Sequence, residues 1–173
     1  RGLGESEGIS ADANPFHLAN DLASSVSFVS GLNQVDPNQV FTIGLCAGST
    51  GTIYESFKDK RIKALGLIVP TVNGSEMVNG TNTFVRGVIY LAQGLFIVLK
   101  FFGWHIKMKP GIPPEDKIPN DDKPINRGLR EVASYYLEGK VGYHPRWENA
   151  MSSTSLAGIA KMHPFNYSDE FDD

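Results

Sequence analysis

The chain has 173 residues, 41% of them hydrophobic and 20% charged, which is the composition of a globular protein with room for one sizeable core. Its formal net charge is −3 and it has no basic stripe, so composition argues against a nucleic-acid-binding protein. A single cysteine cannot form an intrachain disulfide, which argues against a disulfide-stapled secreted scaffold. The first eight residues lack the apolar core of a signal peptide, so the default expectation is a cytoplasmic protein.

Helices and strands are predicted to alternate through the first seventy residues. Asn14 and Pro15 form a typical helix start, and apolar residues then recur at helical spacing as far as Leu32. The runs 40–45 and 62–69 are short and almost continuously apolar, as in strands buried on both faces of a parallel sheet. A helical stretch lies between them. This alternation predicts βαβ units and an α/β fold with a parallel sheet and flanking helices.

The pattern changes after Pro70. Residues 71–83 are predicted to be a loop, and residues 84–104 are strongly apolar. The uncharged run between Arg86 and Lys100 is shorter than the roughly 20 residues that a membrane span needs, so no span is predicted. A helix buried against the protein, or forming an apolar lid, is expected instead. The proline-rich segment 110–124 is predicted to be a loop, followed by a helix that stops at Gly139.

The segment Gly44-Leu45-Cys46-Ala47-Gly48 lies at the end of the first predicted strand and fits the G-x-nucleophile-x-G pattern, with cysteine as the nucleophile. Such a nucleophile lies on a sharp, strained turn between a strand and a helix, where close approach of the backbone favours glycine at Gly44 and Gly48. The N-terminus of the following helix favours an anionic thiolate. The pattern predicts Cys46 as the catalytic residue and the N–H of Ala47 as an oxyanion-hole donor.

Three structural interpretations remain open for this segment. Cys46 could be a buried structural cysteine, because free cysteine is among the most buried residue types. The glycines could simply form a tight turn between strand and helix. A dinucleotide or phosphate loop is the third interpretation, but the G-x-G-x-x-G spacing and the lysine of a P-loop are both absent.

Several segments resemble α/β-hydrolases. Residues 1–6, "RGLGES", resemble the loop after the fourth strand of that fold, and "VDPNQVFTIGLCAGSTG" (35–51) resembles its fifth strand and nucleophile elbow. "KDKRIKALGLIVP" (58–70) resembles the sixth strand, and residues 133–156 resemble the segment before the seventh. The cysteine elbow followed by "DKRIKA" resembles the dienelactone-hydrolase-like branch, including uncharacterised bacterial hydrolases and fungal polyketide acyltransferases.

This resemblance implies an acyl-transfer site of cysteine, histidine and aspartate, with the acid after the seventh strand and the histidine after the eighth. The chain reaches Asp173 about where the seventh strand would begin, and it starts after the fourth. The resemblance therefore implies an internal fragment that lacks both partners and the second oxyanion donor. It also implies three segments: a hydrolase core segment with the elbow (1–70), a helical cap or insertion (71–150), and a return towards the missing core (151–173).

None of the four histidines, His17, His105, His144 and His163, matches the position of the family's catalytic histidine. Asp12, Asp21 and Asp36 look like caps and turns, and no cofactor or metal site is predicted.

Three functions remain open: an acyl hydrolase acting on an ester, thioester or lactone, an acyltransferase of the same fold, and a non-catalytic binding or structural module. The expected partners are an apolar small-molecule acyl substrate and flanking sequence or another chain that completes the fold. Without such a partner, the segment is not expected to fold as a monomer.

Overall fold

The computed structural model describes residues 2, 4–79, 83–102, 104, 106–164 and 166. The chain forms two compact units. The first, called the sheet unit below, comprises Ala13–Val78 and Gly158–Asp173, and the second, called the helical unit, comprises Arg1–Asp12 and Asn79–Ala157.

The sheet unit contains the predicted alternation of helices and strands. Its elements are α1 (Pro15–Ser30), β1 (Val40–Leu45), α2 (Ala47–Lys58), β2 (Ile62–Ile68) and α3 (Gly74–Asn79), whose last residue lies in the helical unit. The strands β1 and β2 pair in parallel, from Val40 opposite Ile62 to Leu45 opposite Ile68. The prediction of an α/β fold with a parallel sheet is therefore confirmed.

Local sequence explains where α1 begins and how it packs. The Asn14 side chain accepts a hydrogen bond from the Phe16 N–H at 2.9 Å, and Pro15 occupies the first turn, where a missing N–H costs nothing. A Cβ on Gly51 of α2 would lie only 2.9 Å from Leu18 Cβ, so this glycine allows α1 and α2 to approach closely. Between them lies a small core of Ala19, Tyr54 and Met162, flanked by Phe16 and Ile159.

The prediction that β1 is buried on both faces is wrong. Val40 and Gly44 are buried, but the side chains that point the other way, Phe41, Ile43 and Leu45, are 64–77% exposed. The helix α2 packs against the strands from one side, and none of the described elements buries the side chains of the outward face of β1. A continuous apolar run identifies a strand that suits burial on both sides, but it does not supply the element that buries it.

The helical unit contains α4 (Thr83–Phe101), β3 (Lys107–Met108), a 3₁₀ turn (Glu115–Lys117), α5 (Pro124–Tyr136) and β4 (Met151–Ser152). The helix α6 (Ser153–Lys161) begins in this unit and ends in the sheet unit. The strands β3 and β4 pair antiparallel, with Lys107 opposite Ser152. In the described part of the chain, no helix combines the length and the apolar character needed to cross a membrane.

Three predicted elements differ from the structure. The short helix α3 lies in the segment predicted as a loop, and the 3₁₀ turn interrupts the loop predicted for 110–124. The helix α5 ends at Tyr136 rather than at Gly139, because the backbone is already extended at Leu137. Gly139 has a φ of +80° and belongs to the turn that follows the helix.

Asp12 is neither a cap nor a turn residue, as had been predicted. It is 1% exposed, and its Oδ1 accepts hydrogen bonds from the Thr154 hydroxyl at 2.8 Å and from the hydroxyls of Ser155 and Ser152 at 3.3 and 3.4 Å. The Ser152 N–H also donates to the Ala11 carbonyl. A buried carboxylate needs such donors, and here they join residues 11–12 to the start of α6. These bonds explain why the first twelve residues belong to the helical unit. The division into a core segment 1–70, a cap 71–150 and a return segment 151–173 stays a prediction.

Candidate nucleophile elbow

Cys46 lies between β1 and α2 in a backbone conformation that side chains rarely adopt, with φ +52° and ψ −122°. Its N–H donates to the Ile68 carbonyl at 2.9 Å, and its own carbonyl accepts from the Ser49 N–H at 2.9 Å. The thiol is exposed. A non-glycine residue at such a φ costs on the order of 1–3 kcal/mol and persists where the surrounding structure holds it, often at functional sites.

Crowding explains one of the two elbow glycines. A Cβ on Gly44 would lie 2.4 Å from Ser49 Cα and 2.8 Å from Ser49 N, which are backbone atoms that cannot move aside. At Gly48 an added Cβ would have no described atom within 4 Å. The close approach expected at both positions is therefore found at Gly44, between the end of β1 and the first turn of α2.

Two hydroxyl side chains, which sequence reasoning missed, fix the first turn of α2. The buried Ser49 hydroxyl lies 2.7 Å from the Gly44 carbonyl and 3.3 Å from that of Ile68, so it bonds to both strands. The Thr50 hydroxyl donates to the Thr71 carbonyl at 2.5 Å. The only signal in the sequence is a pair of hydroxyl residues directly after the elbow, which also fits an exposed turn.

Ala47 is the first residue of α2, so its N–H has no partner within the helix. The positive end of the helix dipole lies at the same position. The exposed thiol of Cys46 and a free helical N–H therefore occupy adjacent residues at the carboxyl end of β1. This arrangement can hold a nucleophile next to a donor for a developing oxyanion.

The described residues provide no general base that is hydrogen-bonded to this thiol. No described side chain forms a hydrogen bond with the Cys46 sulfur. His17 lies in α1, the His144 Nδ1 accepts from the Arg146 N–H in an exposed turn, and the His163 N–H donates to the Tyr54 hydroxyl. His105 lies outside the described residues. Among the residues that the structure describes, no group of three or more potential metal ligands occurs.

A cavity of about 280 Å³ lies beside the elbow, within the sheet unit. This volume is slightly below the roughly 300–1,000 Å³ of most ligand pockets. Asp21, predicted as a cap or turn residue, lies within α1 and lines this cavity, whereas Asp36 does form the predicted turn by accepting from the Asn38 N–H. The other lining residues are Leu18, Leu22, Ser25, Ile43, Gly44, Leu45, Gly48 and Thr52.

A second strained residue follows β2. Val69 has a φ of +50°, which for a β-branched side chain is a genuine outlier, and it is 74% exposed. It comes directly after Ile68, whose carbonyl accepts the Cys46 N–H. Both parallel strands of the sheet unit therefore end in a residue with an unfavourable backbone conformation, at the same edge of the sheet.

Comparison with known proteins gives few sequence relatives. No family model matches the chain. An uncharacterised protein of Escherichia coli K12, YcjY, is 30% identical over 75 residues, which cover 43% of this chain and 24% of that protein.

Similar solved structures are more informative about the fold. The hypothetical protein PA2218 from Pseudomonas aeruginosa superposes with a TM-score of 0.72 and 22% identity, over 98% of this chain and 53% of that one. DcsB, solved with a substrate analogue, superposes with a TM-score of 0.71 and 19% identity, over 99% of this chain and 57% of that one. The α/β-hydrolase GrgF from Penicillium sp. sh18 superposes with a TM-score of 0.73 and 20% identity, over 99% of this chain and 55% of that one. The chain thus spans about half the length of these proteins. The parallel strands, the flanking helices and these similarities show that the chain has an α/β-hydrolase-like fold.

Proposed function

We propose that the chain carries the nucleophile of an acyl hydrolase and that this nucleophile is Cys46. The observation that supports the proposal most directly is the backbone of Cys46, at φ +52° and ψ −122°, on an exposed turn between β1 and α2. A buried structural cysteine has no reason to occupy such a strained position with its thiol in solvent. The hydrolase-like fold adds an analogy and no more, because one fold supports many functions.

In this proposal a general base removes the proton of the Cys46 thiol, and the sulfur attacks the carbonyl carbon of an ester, thioester or lactone. The Ala47 N–H stabilises the negative oxygen of the tetrahedral intermediate. When the intermediate collapses, the bond to the alcohol or thiol breaks, and the leaving group takes the proton held by the base. Water then attacks the acyl-thioester, releasing the carboxylic acid and restoring the thiol.

The base, the acid that orients it and the second oxyanion donor are proposed to come from flanking sequence or from another chain. The support for this part is that no described side chain forms a hydrogen bond with the sulfur and that the chain spans about half the length of its structural neighbours. Acyl transfer to an alcohol or amine would differ only in the acceptor that replaces water.

The lack of a hydrogen bond to the sulfur among the described residues also favours a second candidate, a hydrolase-like binding or structural module without catalysis. The reactivity of the thiol distinguishes the two candidates. We expect an iodoacetamide probe at neutral pH to alkylate Cys46 of the full natural chain at least about 10-fold faster than an ordinary exposed thiol, because the proposed general base removes the thiol proton and a module without catalysis lacks that base.

The reference is the C46A/S24C double variant, which moves the single thiol to an exposed position within α1. Equal alkylation rates in the two proteins would overturn the proposal. Hydrolysis of a small aryl ester by the full natural chain is the second measurement, and Cys46→Ala should abolish it. Unchanged hydrolysis in that variant would exclude Cys46 as the nucleophile.

A further inference from the structure

The helix α4 has an exposed stripe of large apolar side chains. These side chains are 37–80% exposed, and successive members are alternately four and three residues apart. The stripe consists of Phe84, Val88, Leu91, Leu95, Val98 and, directly after the helix, Phe102. The six positions span 18 residues in five steps, an average of 3.6 residues, so they stay in line along one side of a straight helix.

Among the α4 residues whose side chains the structure describes, the stripe is uncharged, and Tyr90, 52% exposed, is the large apolar residue exposed outside it. At about 100° per residue, the positions of the stripe fall within an arc of about 80° on the helix surface. Ile89, which is buried, lies on the opposite side of the helix, and the sequence positions of Arg86 and Lys100 fall on that side as well. Interfacial helices that bind lipid carry a strongly charged polar face rich in Lys and Arg, whereas α4 contains one Arg and one Lys. Exposed apolar positions that alternate four and three residues apart along one line match the contact line of a single partner helix.

The order of residues in the stripe is a palindrome. Read from either end, it is Phe, Val, Leu, Leu, Val, Phe, and each symmetric pair is centred on position 93. A two-fold axis requires that if one residue contacts a second across the interface, the second also contacts the first. An antiparallel pair of α4 helices centred at this height would place Phe84 opposite Phe102 of the partner subunit, and Leu91 opposite Leu95 of the partner subunit.

Two glycines beside the stripe leave room for a close helix pair. Gly87 and Gly94 are both exposed and lie seven residues apart on one flank of the stripe. A Cβ at either position would meet no described atom within 4 Å. Small residues at such positions let two helix backbones approach.

We propose that α4 is the interface of a homodimer, in which it pairs antiparallel with α4 of a second copy about a two-fold axis at the height of residue 93. The exposed area of the six stripe side chains amounts to roughly 600 Å² per copy, or about 1,200 Å² for the pair, which is the lower end of specific interfaces. The dimer is therefore expected to dissociate at micromolar concentrations.

Another exposed apolar surface serves as the control. Phe41, Ile43 and Leu45 form the outward face of β1, in the sheet unit, and their order has no such symmetry. If the protein associates only because it exposes apolar side chains, a charge on this face should disrupt association as effectively as a charge on α4.

Sedimentation equilibrium of the full natural chain tests the proposal. We expect a monomer–dimer equilibrium that Leu91→Arg weakens at least 10-fold and that Ile43→Arg leaves unchanged, with far-UV circular dichroism confirming that both variants fold. A wild-type protein that stays monomeric at roughly 100 μM would overturn the proposal, since an interface of this size should then be populated. That result is also expected if flanking sequence of the same chain covers α4. Dissociation by Ile43→Arg alone would assign the interface to β1.

Disulfide cross-linking on a Cys46→Ser background gives the orientation without depending on affinity. An antiparallel pair places Val88 opposite Val98 of the partner subunit, so V88C/V98C should form a covalent dimer under oxidation. In the same pair, the two copies of position 88 are ten residues apart along the axis, or about 15 Å, so V88C alone should stay monomeric. Cross-linking by V88C alone would indicate a parallel pair and contradict the proposal.

Discussion

The Ile68 carbonyl accepts a hydrogen bond from the Cys46 N–H at 2.9 Å. The last residue of β2 therefore holds the turn that follows β1, in which Cys46 lies. The Ser49 hydroxyl reaches the same carbonyl at 3.3 Å from the first turn of α2. Strand, turn and helix are thus fixed around one backbone oxygen. A rigid arrangement of this kind can hold a residue in a strained conformation because several bonds must break before it relaxes.

The two elbow glycines should respond differently to substitution. Gly44→Ala places a methyl group 2.4 Å from Ser49 Cα. Neither atom can move without shifting the main chain, so we expect a loss of about 1–3 kcal/mol in the free energy of unfolding. Gly48→Ala meets open space within a helix and should be neutral or stabilise by up to about 1 kcal/mol. Urea unfolding of both variants measures this, and equal destabilisation would contradict the observed difference in crowding.

Removing the Ser49 hydroxyl should loosen the elbow. Ser49→Ala leaves the carbonyls of Gly44 and Ile68 without this donor at a buried site, so we expect a loss of about 1–3 kcal/mol in stability. The control is Ser24→Ala, whose hydroxyl bonds to the Asn20 carbonyl on the exposed side of α1 and whose loss should cost little. Similar unfolding midpoints for the two variants would show that the Ser49 bonds contribute nothing to stability.

Local sequence patterns were enough to predict much of the sheet unit. Asn14 and Pro15 mark the start of α1, and the apolar run 40–45 coincides with β1, because capping and strand patterns depend on neighbouring residues. The exposure of the outer face of β1 was not predictable, since an apolar strand has the same sequence pattern whether or not another element packs against it. The six-residue helix α3 was missed because so short a segment contains fewer than two turns, too few for a helical pattern to repeat.

The candidate site was predictable in part, for a similar reason. The strained turn at Cys46 follows from five consecutive residues, and the structure contains it. The burial of Asp12 depends instead on hydroxyls about 140 residues further along the chain, and no local pattern indicates such a contact. Neither the sequence nor the described residues provide a general base for the proposed nucleophile, because the hydrogen bonds around the elbow are formed by backbone groups and by the Ser49 hydroxyl.

Glu55 should make the protein less stable as pH rises. This side chain is 7% exposed in α2, and burial, followed by the nearby charge of Asp59, raises its pKa above the ordinary 4.5. The folded chain therefore holds the proton more tightly than the unfolded chain. Stability falls as pH rises from the ordinary pKa through the raised one, and the penalty then remains at neutral pH.

Glu55→Gln removes this titration, so we expect the variant to gain stability relative to wild type between pH 4 and pH 7. Urea unfolding across that range measures the difference. The control is Glu76→Gln, an exposed residue of α3, which removes the same charge from the chain without changing a buried group. A difference between Glu55→Gln and wild type that is independent of pH would contradict the expected cause.

Glu148, in the helical unit, should make the protein less stable as pH falls, which is the opposite of the effect of Glu55. Its carboxylate accepts hydrogen bonds from Lys109 at 2.6 Å, Lys107 at 2.9 Å and Ser10 at 2.8 Å. These bonds, of which the one from Lys109 has the largest effect, lower the pKa of Glu148 from 4.5 to about 2. Because the folded chain binds this proton less tightly than the unfolded chain, the stabilisation is complete above the ordinary pKa. It is lost as pH falls from about 4.5 towards 2.

We therefore expect Glu148→Gln to be less stable than wild type at pH 7 and the difference to close between pH 4.5 and 2. Tryptophan fluorescence can follow this unit on its own, since both tryptophans, Trp104 and Trp147, lie within it. The exposed Glu138→Gln, in the same unit, controls for the loss of one charge. If the gap between Glu148→Gln and wild type stayed constant down to pH 2, the lysines would not be stabilising the charged carboxylate, and the contacts that join Ser10 and β3 to Glu148 would not depend on its ionisation.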